Sequence, residues 1–156
     1  MCVLVVGSVA IDTVETPFGT ADSILGGSAV YFSLAASLFA PVRLVGVVGR
    51  DFPAEHYEIF QGRPIDTEGL TVAEGETFRW AGRYEGLMNE AETREVQLNV
   101  LGDFCPTVPE AYRDSPFVFL ANGPPRTQLH VLEQVAGAGF VMADTMNLWV
   151  ETERGA

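Results

Sequence analysis

The chain has 156 residues, a formal net charge of −12 and a hydrophobic fraction of 47%. This length and apolar content predict one globular domain with a buried core and exclude an intrinsically disordered chain. The charge comes from 21 acidic residues against nine basic ones, all of them scattered arginines. Nucleic acid and anionic membranes are therefore poor partners, because binding to phosphate-rich surfaces needs clustered cations.

The absence of lysine and the small number of cysteines exclude further classes of protein. The sequence has no lysine, which excludes a Walker A phosphate-binding loop and a Schiff-base enzyme. Cys2 and Cys105 form neither a Cys-x-x-Cys pair nor a disulfide framework, which is typical of a reducing compartment. Because no apolar run approaches the roughly 20 residues of a membrane span, and no signal peptide fits the first residues, we expect a soluble cytoplasmic protein.

The first third of the chain alternates apolar strands with helices. Residues 2–6 form a β-branched run that predicts a buried strand, and residues 11–25 predict two short strands with a turn. Residues 28–39 are apolar nearly all round and predict a buried helix that ends before Pro41. A second buried strand at 42–48 completes the strand, helix, strand order of a right-handed α/β unit.

After residue 48 the pattern of apolar and polar residues changes twice. Asp51 and Pro53 suggest the start of a helix that runs through Phe60. From residue 70 to 104 apolar and polar positions alternate, which predicts strands with one wet face and a loop at 85–92. The remaining predicted elements are buried strands at 117–121 and 140–143, a helix at 128–136 and the first turn of another helix at 151–156.

Polar residues follow several predicted strands, where an open parallel sheet binds its ligands. Asp12 follows the first strand, and its carboxylate could accept hydrogen bonds from two hydroxyls of a polyol. Gly26 and Gly27 precede the first helix, where they would let a ligand approach the backbone and leave free N–H groups. Asn122 and Asp144 end later strands, the latter followed by Asn147. The alternatives are a turn or cap for the polar residues and a simple tight turn for the glycines.

Three motifs together resemble one known family. They are Gly7-Ser8-x-x-x-Asp12, Gly26-Gly27-Ser28-Ala29 at the start of an Ala-rich helix, and Gly46-x-x-Gly49-Arg50-Asp51. In this order they resemble the N-terminal half of the PfkB, or ribokinase-like, carbohydrate and nucleoside kinases, and the likeness covers essentially the whole chain. It implies a single, C-terminally truncated α/β domain with a Rossmann-like, mostly parallel sheet flanked by helices. A small β-sheet lid would occupy segments of about 12–25 and 76–104.

The resemblance also implies roles for individual residues. Asp12 would bind sugar hydroxyls, while Tyr31 stands where many relatives have Asn and is otherwise a core residue. On the lid, Trp80 and Arg83 would face the substrate, or else form a plain apolar face or the contact of a homodimer. The implied substrate-binding set is Asp12, Gly26, Gly27, Ser28, Tyr31, Asn122 and Asp144.

The resemblance implies ATP and Mg²⁺ as cofactors of the full-length enzyme, which would phosphorylate a small-molecule sugar or nucleoside. The family holds the phosphate with a Gly-Ala-Gly-Asp type motif in its C-terminal half, and this chain has no Gly-x-Gly-Asp. We therefore predict no catalytic residue, no metal ligand, no tight cofactor binding and no kinase activity for the chain alone. The alternatives are a truncated remnant that only binds a ligand or dimerises, and a dinucleotide-binding Rossmann domain, which the missing Gly-x-Gly-x-x-Gly disfavours.

Overall fold

A computed structural model describes residues 1–155 as two sheets flanked by helices. The strands are β1 (Val3–Val6), β2 (Ala10–Thr16), β3 (Gly19–Gly26), β4 (Val42–Val48), β5 (Ile65–Val72), β6 (Phe78–Tyr84), β7 (Ala91–Gln97), β8 (Phe117–Leu120) and β9 (Phe140–Ala143). The helices are α1 (Ser28–Ala36), α2 (Ala54–Tyr57), α3 (Pro125–Gln134) and α4 (Asn147–Thr152). None of the helices in this described part is long and apolar enough to cross a membrane.

The main sheet is five-stranded and parallel, in the order β5-β4-β1-β8-β9. Successive side chains of a strand point to opposite faces, so the central strand β1 contributes to two separate cores. Leu4 packs in a cluster with Val131 of α3, whereas Val5 packs in a cluster with Val30 of α1. The mostly parallel sheet flanked by helices that the motifs predicted is therefore confirmed.

The second sheet has four strands in the order β3-β2-β6-β7. β2 and β6 run parallel at its centre, and each has an antiparallel partner on its outer side. Phe78, at the start of β6, is buried in the same cluster as Leu4 of the main sheet. The first residues of β2 and β6 thus belong to the main core, while the rest of both strands extends away from it.

Two strands of the main sheet differ from the sequence-based predictions. β5 extends the main sheet beside β4, although residues from 70 onward were assigned to the alternating segment. The prediction that 140–143 is a buried strand was wrong in its burial, because Phe140 is 53% exposed and the whole of β9 is accessible. β9 is one of the two edge strands, hydrogen-bonded on one side only, and all four of its residues are exposed.

Several boundaries also shift. Asp51 does not cap the next helix, whose N-cap residue is Pro53, but instead accepts hydrogen bonds from Thr77 at the start of β6. α3 begins at Pro125, because a proline fits the first turn of a helix, and it ends at Gln134. The final helix lies at 147–152 rather than at 151–156, of which Ala156 lies outside the described residues. The alternating segment after the predicted loop at 85–92 divides into β7 and a short 3₁₀ turn at Asn99–Leu101.

Candidate functional site

A cleft of about 470 Å³ opens where the second sheet meets the carboxyl ends of the main-sheet strands. The second sheet contributes Asp12, Phe78, Trp80 and Thr93 to its lining. The loops after β1, β8 and β9 and the start of α1 contribute Ser8, Gly27, Ser28, Tyr31, Asn122, Met146 and Asn147. The structure therefore brings together most of the polar residues that the sequence placed at strand ends.

Asp12 is the one carboxylate in this lining, and its environment is unusual. Its Oδ1 atom is buried and has no hydrogen-bond partner among the described residues. Burial raises the pKa of Asp12 to about 6, from an ordinary value of 3.8. A buried acceptor without a partner costs free energy, so a ligand with hydroxyl donors would satisfy a need that the protein leaves open.

Gly26 and Gly27 serve the site in different ways. A Cβ atom on Gly26 would lie 2.0 Å from Oδ2 of Asp12, so this glycine makes room for the carboxylate and does not itself line the cleft. Gly27 lines the cleft with φ at +98°, and a Cβ atom there would lie 2.3 Å from the carbonyl oxygen of Ser8. Each position therefore requires glycine, one for space beside Asp12 and the other for its backbone conformation.

The start of α1 carries fewer free donors than the sequence suggested. The N–H of Ser28 donates to Oγ of Ser8 at 3.1 Å, and the N–H of Ala29 donates to the Ser8 carbonyl at 3.2 Å. The prediction of free N–H groups at this helix start was therefore wrong for these two residues. Ser8 holds the end of β1 against the start of α1 and so fixes the floor of the cleft.

Asn122 and Asp144 are both close to Ser28, but only Asn122 lines the cleft. The N–H of Asn122 donates to Oγ of Ser28 at 2.7 Å, and its side-chain oxygen accepts from the Trp149 indole at 2.9 Å. Asp144 lies behind the lining, where burial raises its pKa and the Ser28 hydroxyl opposes the shift. One carboxylate oxygen of Asp144 is also buried without a partner. Direct substrate contact by these two residues stays a prediction.

Tyr31 and Arg83 occupy quite different surroundings. Tyr31 is 57% exposed and lines the cleft, with its hydroxyl donating to the Leu25 carbonyl at 3.0 Å, so the alternative of a core residue was wrong. Arg83 pairs with Glu15 at 3.3 Å and with Glu85 at 2.7 Å on the second sheet. It is absent from the lining of the cleft, so its predicted substrate contact would require a rearrangement.

Trp80 forms the wall opposite the floor. It lies beside Asp12 in the parallel register of β2 and β6, so both side chains project from the same face of the second sheet. Phe78, two residues earlier, shares that face. Phe78, Thr93 and Met146 were not singled out by the sequence analysis, because their place in the cleft depends on pairing between strands that are distant in sequence.

A larger cavity of about 610 Å³ lies elsewhere, between β4, β5 and the segment from 99 to 109. Its four carboxylates, those of Glu68, Glu74, Glu76 and Asp103, all belong to exposed residues. None of these side chains is a buried group without a partner. The chemistry therefore favours the smaller cleft at the junction of the two sheets.

The residues present do not match the ATP and Mg²⁺ that the resemblance implies. Among residues 1–155 there is no group of three or more His, Cys, Asp or Glu side chains arranged to hold a metal ion. The glycine-rich helix start with an Asp that the family uses for the phosphate has no counterpart in the sequence. We therefore assign no phosphoryl-transfer step to these residues.

Comparison with known proteins gives one relative in sequence and many in fold. No protein-family model matches the chain. A cytidine kinase from Thermococcus kodakarensis is 29% identical over 136 residues, which are 86% of this chain and 48% of that protein. The chain thus spans about half the length of the curated relative that it matches.

Two solved structures share the fold over nearly the whole chain. A nucleoside kinase from Methanocaldococcus jannaschii, an archaeal member of the ribokinase family, matches 92% of this chain with a TM-score of 0.69 at 17% identity. A ribokinase from Giardia lamblia matches 92% of it with a TM-score of 0.72 at 18% identity. This chain covers 52% and 49% of those two chains, respectively. The chain therefore has the ribokinase-like fold that its motifs predicted, and it is similar to about half of a ribokinase-like sugar or nucleoside kinase.

Proposed function

We propose that this chain is the acceptor-binding part of a small-molecule kinase of the ribokinase type. In a longer polypeptide, such an enzyme would transfer phosphate from ATP to a hydroxyl of a sugar or nucleoside. The second sheet would act as the lid over the bound substrate. The likeness to a cytidine kinase in sequence and to nucleoside and ribose kinases in fold supports this proposal.

The observation that carries the proposal is the carboxylate of Asp12. It faces a cleft of suitable size and has a buried oxygen without a partner. An ionised carboxylate accepts hydrogen bonds and donates none, so neighbouring hydroxyl groups of a polyol are complementary to it. Hydrogen bonds to a charged group contribute roughly 1.5–3 kcal/mol each, which is enough to anchor a small ligand.

Phosphoryl transfer by the 156-residue chain alone is not part of the proposal. That reaction needs an anion hole or a metal for the developing charge and usually a base beside the attacking hydroxyl. Within the described range 1–155 no group of side chains is arranged to hold a metal ion, and the sequence lacks the Gly-x-Gly-Asp motif. We expect binding of the acceptor without turnover.

Isothermal titration of the purified chain with a panel of sugars and nucleosides tests the proposal. At least one member should bind, and Asp12→Asn should weaken its binding at least tenfold, because the amide loses the charge that the hydroxyls recognise. Asp22→Asn, a change at an exposed position of β3, is the matched control and should bind like the wild type.

Two results would count against the proposal. Failure of every sugar and nucleoside to bind would remove its basis, and equal binding by Asp12→Asn would remove the role of that carboxylate. A separate assay for ADP in the presence of ATP, Mg²⁺ and the best ligand should show no turnover above the background without protein. Turnover by the chain would contradict the expected lack of catalysis.

A further inference from the structure

The indole ring of Trp80 rests on the backbone of Gly82. A Cβ atom on Gly82 would lie 1.9 Å from Cη2 and 2.3 Å from Cζ2 of Trp80, so any side chain there would displace the six-membered ring. The two residues are two positions apart on β6 and so share a face of the sheet. The absence of a side chain at Gly82 therefore lets the ring lie close to the strand.

A hydrogen bond holds the other end of the indole. Nε1 of Trp80 donates to Oγ1 of Thr93 on the neighbouring strand β7 at 3.3 Å. The pairing of β6 with β7 shifts register between Ala81 and Gly82, which places Thr93 opposite Gly82. Without that shift the long charged side chain of Arg94 would be opposite Gly82. The register shift, the glycine and the threonine thus fix one orientation of the ring.

The fixed ring lies on the same face as the carboxylate proposed to bind hydroxyl groups. Trp80 pairs with Asp12 in the parallel register of β6 and β2, and both line the cleft. Trp80 is only partly buried, so it keeps accessible ring surface next to Asp12. A ligand held by Asp12 through its hydroxyls would place any attached planar group next to this aromatic surface.

We propose that Trp80, oriented by Gly82 and Thr93, makes the cleft selective for an acceptor that joins a polyol to a planar ring, as a nucleoside does, over a free sugar. This inference rests on the proposed function, because it assumes that Asp12 binds the hydroxyl groups. Gly82 and Thr93 are positioning residues in it and act through Trp80. Stacking on an aromatic side chain is tolerant of the identity of the base, so the selectivity concerns the class of ligand rather than one nucleoside.

The test compares the affinities of cytidine and ribose, the two probes, for the wild-type chain and its variants. The wild type should bind cytidine at least about fivefold more tightly than ribose, which is the low end expected from stacking of one base. Trp80→Leu should lower this ratio to about one, because it removes the stacking surface for the base and so weakens cytidine binding far more than ribose binding. Thr93→Val should lower the ratio several-fold, and Thr93→Ser, which keeps the acceptor oxygen, should restore it.

Gly82→Ala adds a Cβ atom beneath the ring and should lower the ratio as Thr93→Val does. Gly137→Ala is the matched control, because a Cβ atom there would meet no other atom within 4 Å. The NMR signal of the Trp80 indole N–H gives a readout that needs no ligand. It should shift in Gly82→Ala and Thr93→Val and stay unchanged in Gly137→Ala. Should Gly82→Ala fail to fold, the threonine pair still decides the outcome.

The possible results separate this inference from the proposed function. Equal binding of cytidine and ribose by the wild type, or an unchanged ratio in Trp80→Leu, would overturn the inference and leave the role of Asp12 standing. An unchanged ratio in Thr93→Val, despite a shifted indole signal, would overturn the positioning role. Binding of neither cytidine nor ribose by the wild type would overturn this inference, and binding of no member of the wider panel would overturn the proposed function as well.

Discussion

The two sheets of this protein are built in contrasting ways. In the main sheet, Leu4, Val5 and Leu44 are fully buried, and apolar clusters cover both faces of the central strands. In the second sheet, most of β7 is exposed, and ion pairs such as Arg83 with Glu15 join neighbouring strands at the surface. The cleft therefore has a floor fixed by core packing and a wall held by relatively few contacts.

A small polar network links the wall to the floor. Oδ1 of Asp51, just after β4, accepts from the N–H of Thr77 at 2.7 Å and from its hydroxyl at 2.8 Å. Arg79 on β6 donates to the other oxygen of Asp51 at 2.6 Å. Burial raises the pKa of Asp51, but these hydrogen bonds outweigh burial and hold it below its ordinary value. The ionised carboxylate thus fastens the root of the second sheet to the main sheet.

The largest expected effect is the loss in the free energy of unfolding when a core residue of the main sheet is truncated. Leu44→Ala should lower the free energy of unfolding by about 3 kcal/mol, within the 2–5 kcal/mol typical of a buried leucine. Leu87 is 90% exposed in the turn between β6 and β7, so Leu87→Ala is the matched control and should change it by less than about 0.5 kcal/mol. Chemical denaturation measures both. Similar losses for the two variants would contradict the contrast between a packed floor and a lightly held wall.

A smaller and more local effect is expected at the link between the sheets. Asp51→Ala leaves the buried N–H of Thr77 without its acceptor and should cost about 1–3 kcal/mol. Amide hydrogen exchange should accelerate more in β6 than in β1, because the root of the second sheet loosens first.

Arg83→Gln is the control for the link, because it breaks only ion pairs on the surface of the second sheet. It should cost less than about 1 kcal/mol and change exchange little. Uniform acceleration of exchange across both sheets in Asp51→Ala would show that the network does not act as a local link.

The sequence predicted the main sheet well where its strands are buried. The β-branched runs that form β1 and β4 predict central strands, because their side chains must be covered on both faces of the sheet. β9 is as apolar in sequence but lies at the edge of the sheet. The residues of a strand do not by themselves indicate its position in the strand order. β5 mixes polar and apolar residues, so only its pairing with β4 reveals it as part of the main sheet.

Four residues that the sequence singled out line the cleft, namely Gly27 and Ser28 at the start of α1 and Asp12 and Trp80 on the second sheet. Their contact with a substrate stays a prediction. Gly26 turned out to make room for Asp12, a role that depends on the pairing of β2 with β3. Thr93 faces Trp80 only because of the register shift between β6 and β7. Such side-chain contacts are set by strand register, which local sequence patterns do not specify.

The charge state of Asp12 links the site to stability. Because burial raises its pKa to about 6, the folded chain keeps a proton that the unfolded chain releases near pH 3.8. The protonated carboxyl therefore contributes fully to the free energy of unfolding below about pH 3.8. This contribution is lost as the pH rises through about 6, where the folded chain releases the proton. A ligand that donates hydrogen bonds to the ionised form should reverse this trend by lowering the pKa.

The most direct measurement is an NMR titration of the Asp12 side-chain carboxyl carbon, without ligand and with a saturating concentration of the best-binding sugar or nucleoside. In the free chain the resonance should titrate with a pKa of about 6. With ligand bound the pKa should fall by roughly one unit or more, as hydroxyl groups stabilise the carboxylate. An unchanged pKa in the saturated complex would contradict the claim that Asp12 holds the acceptor.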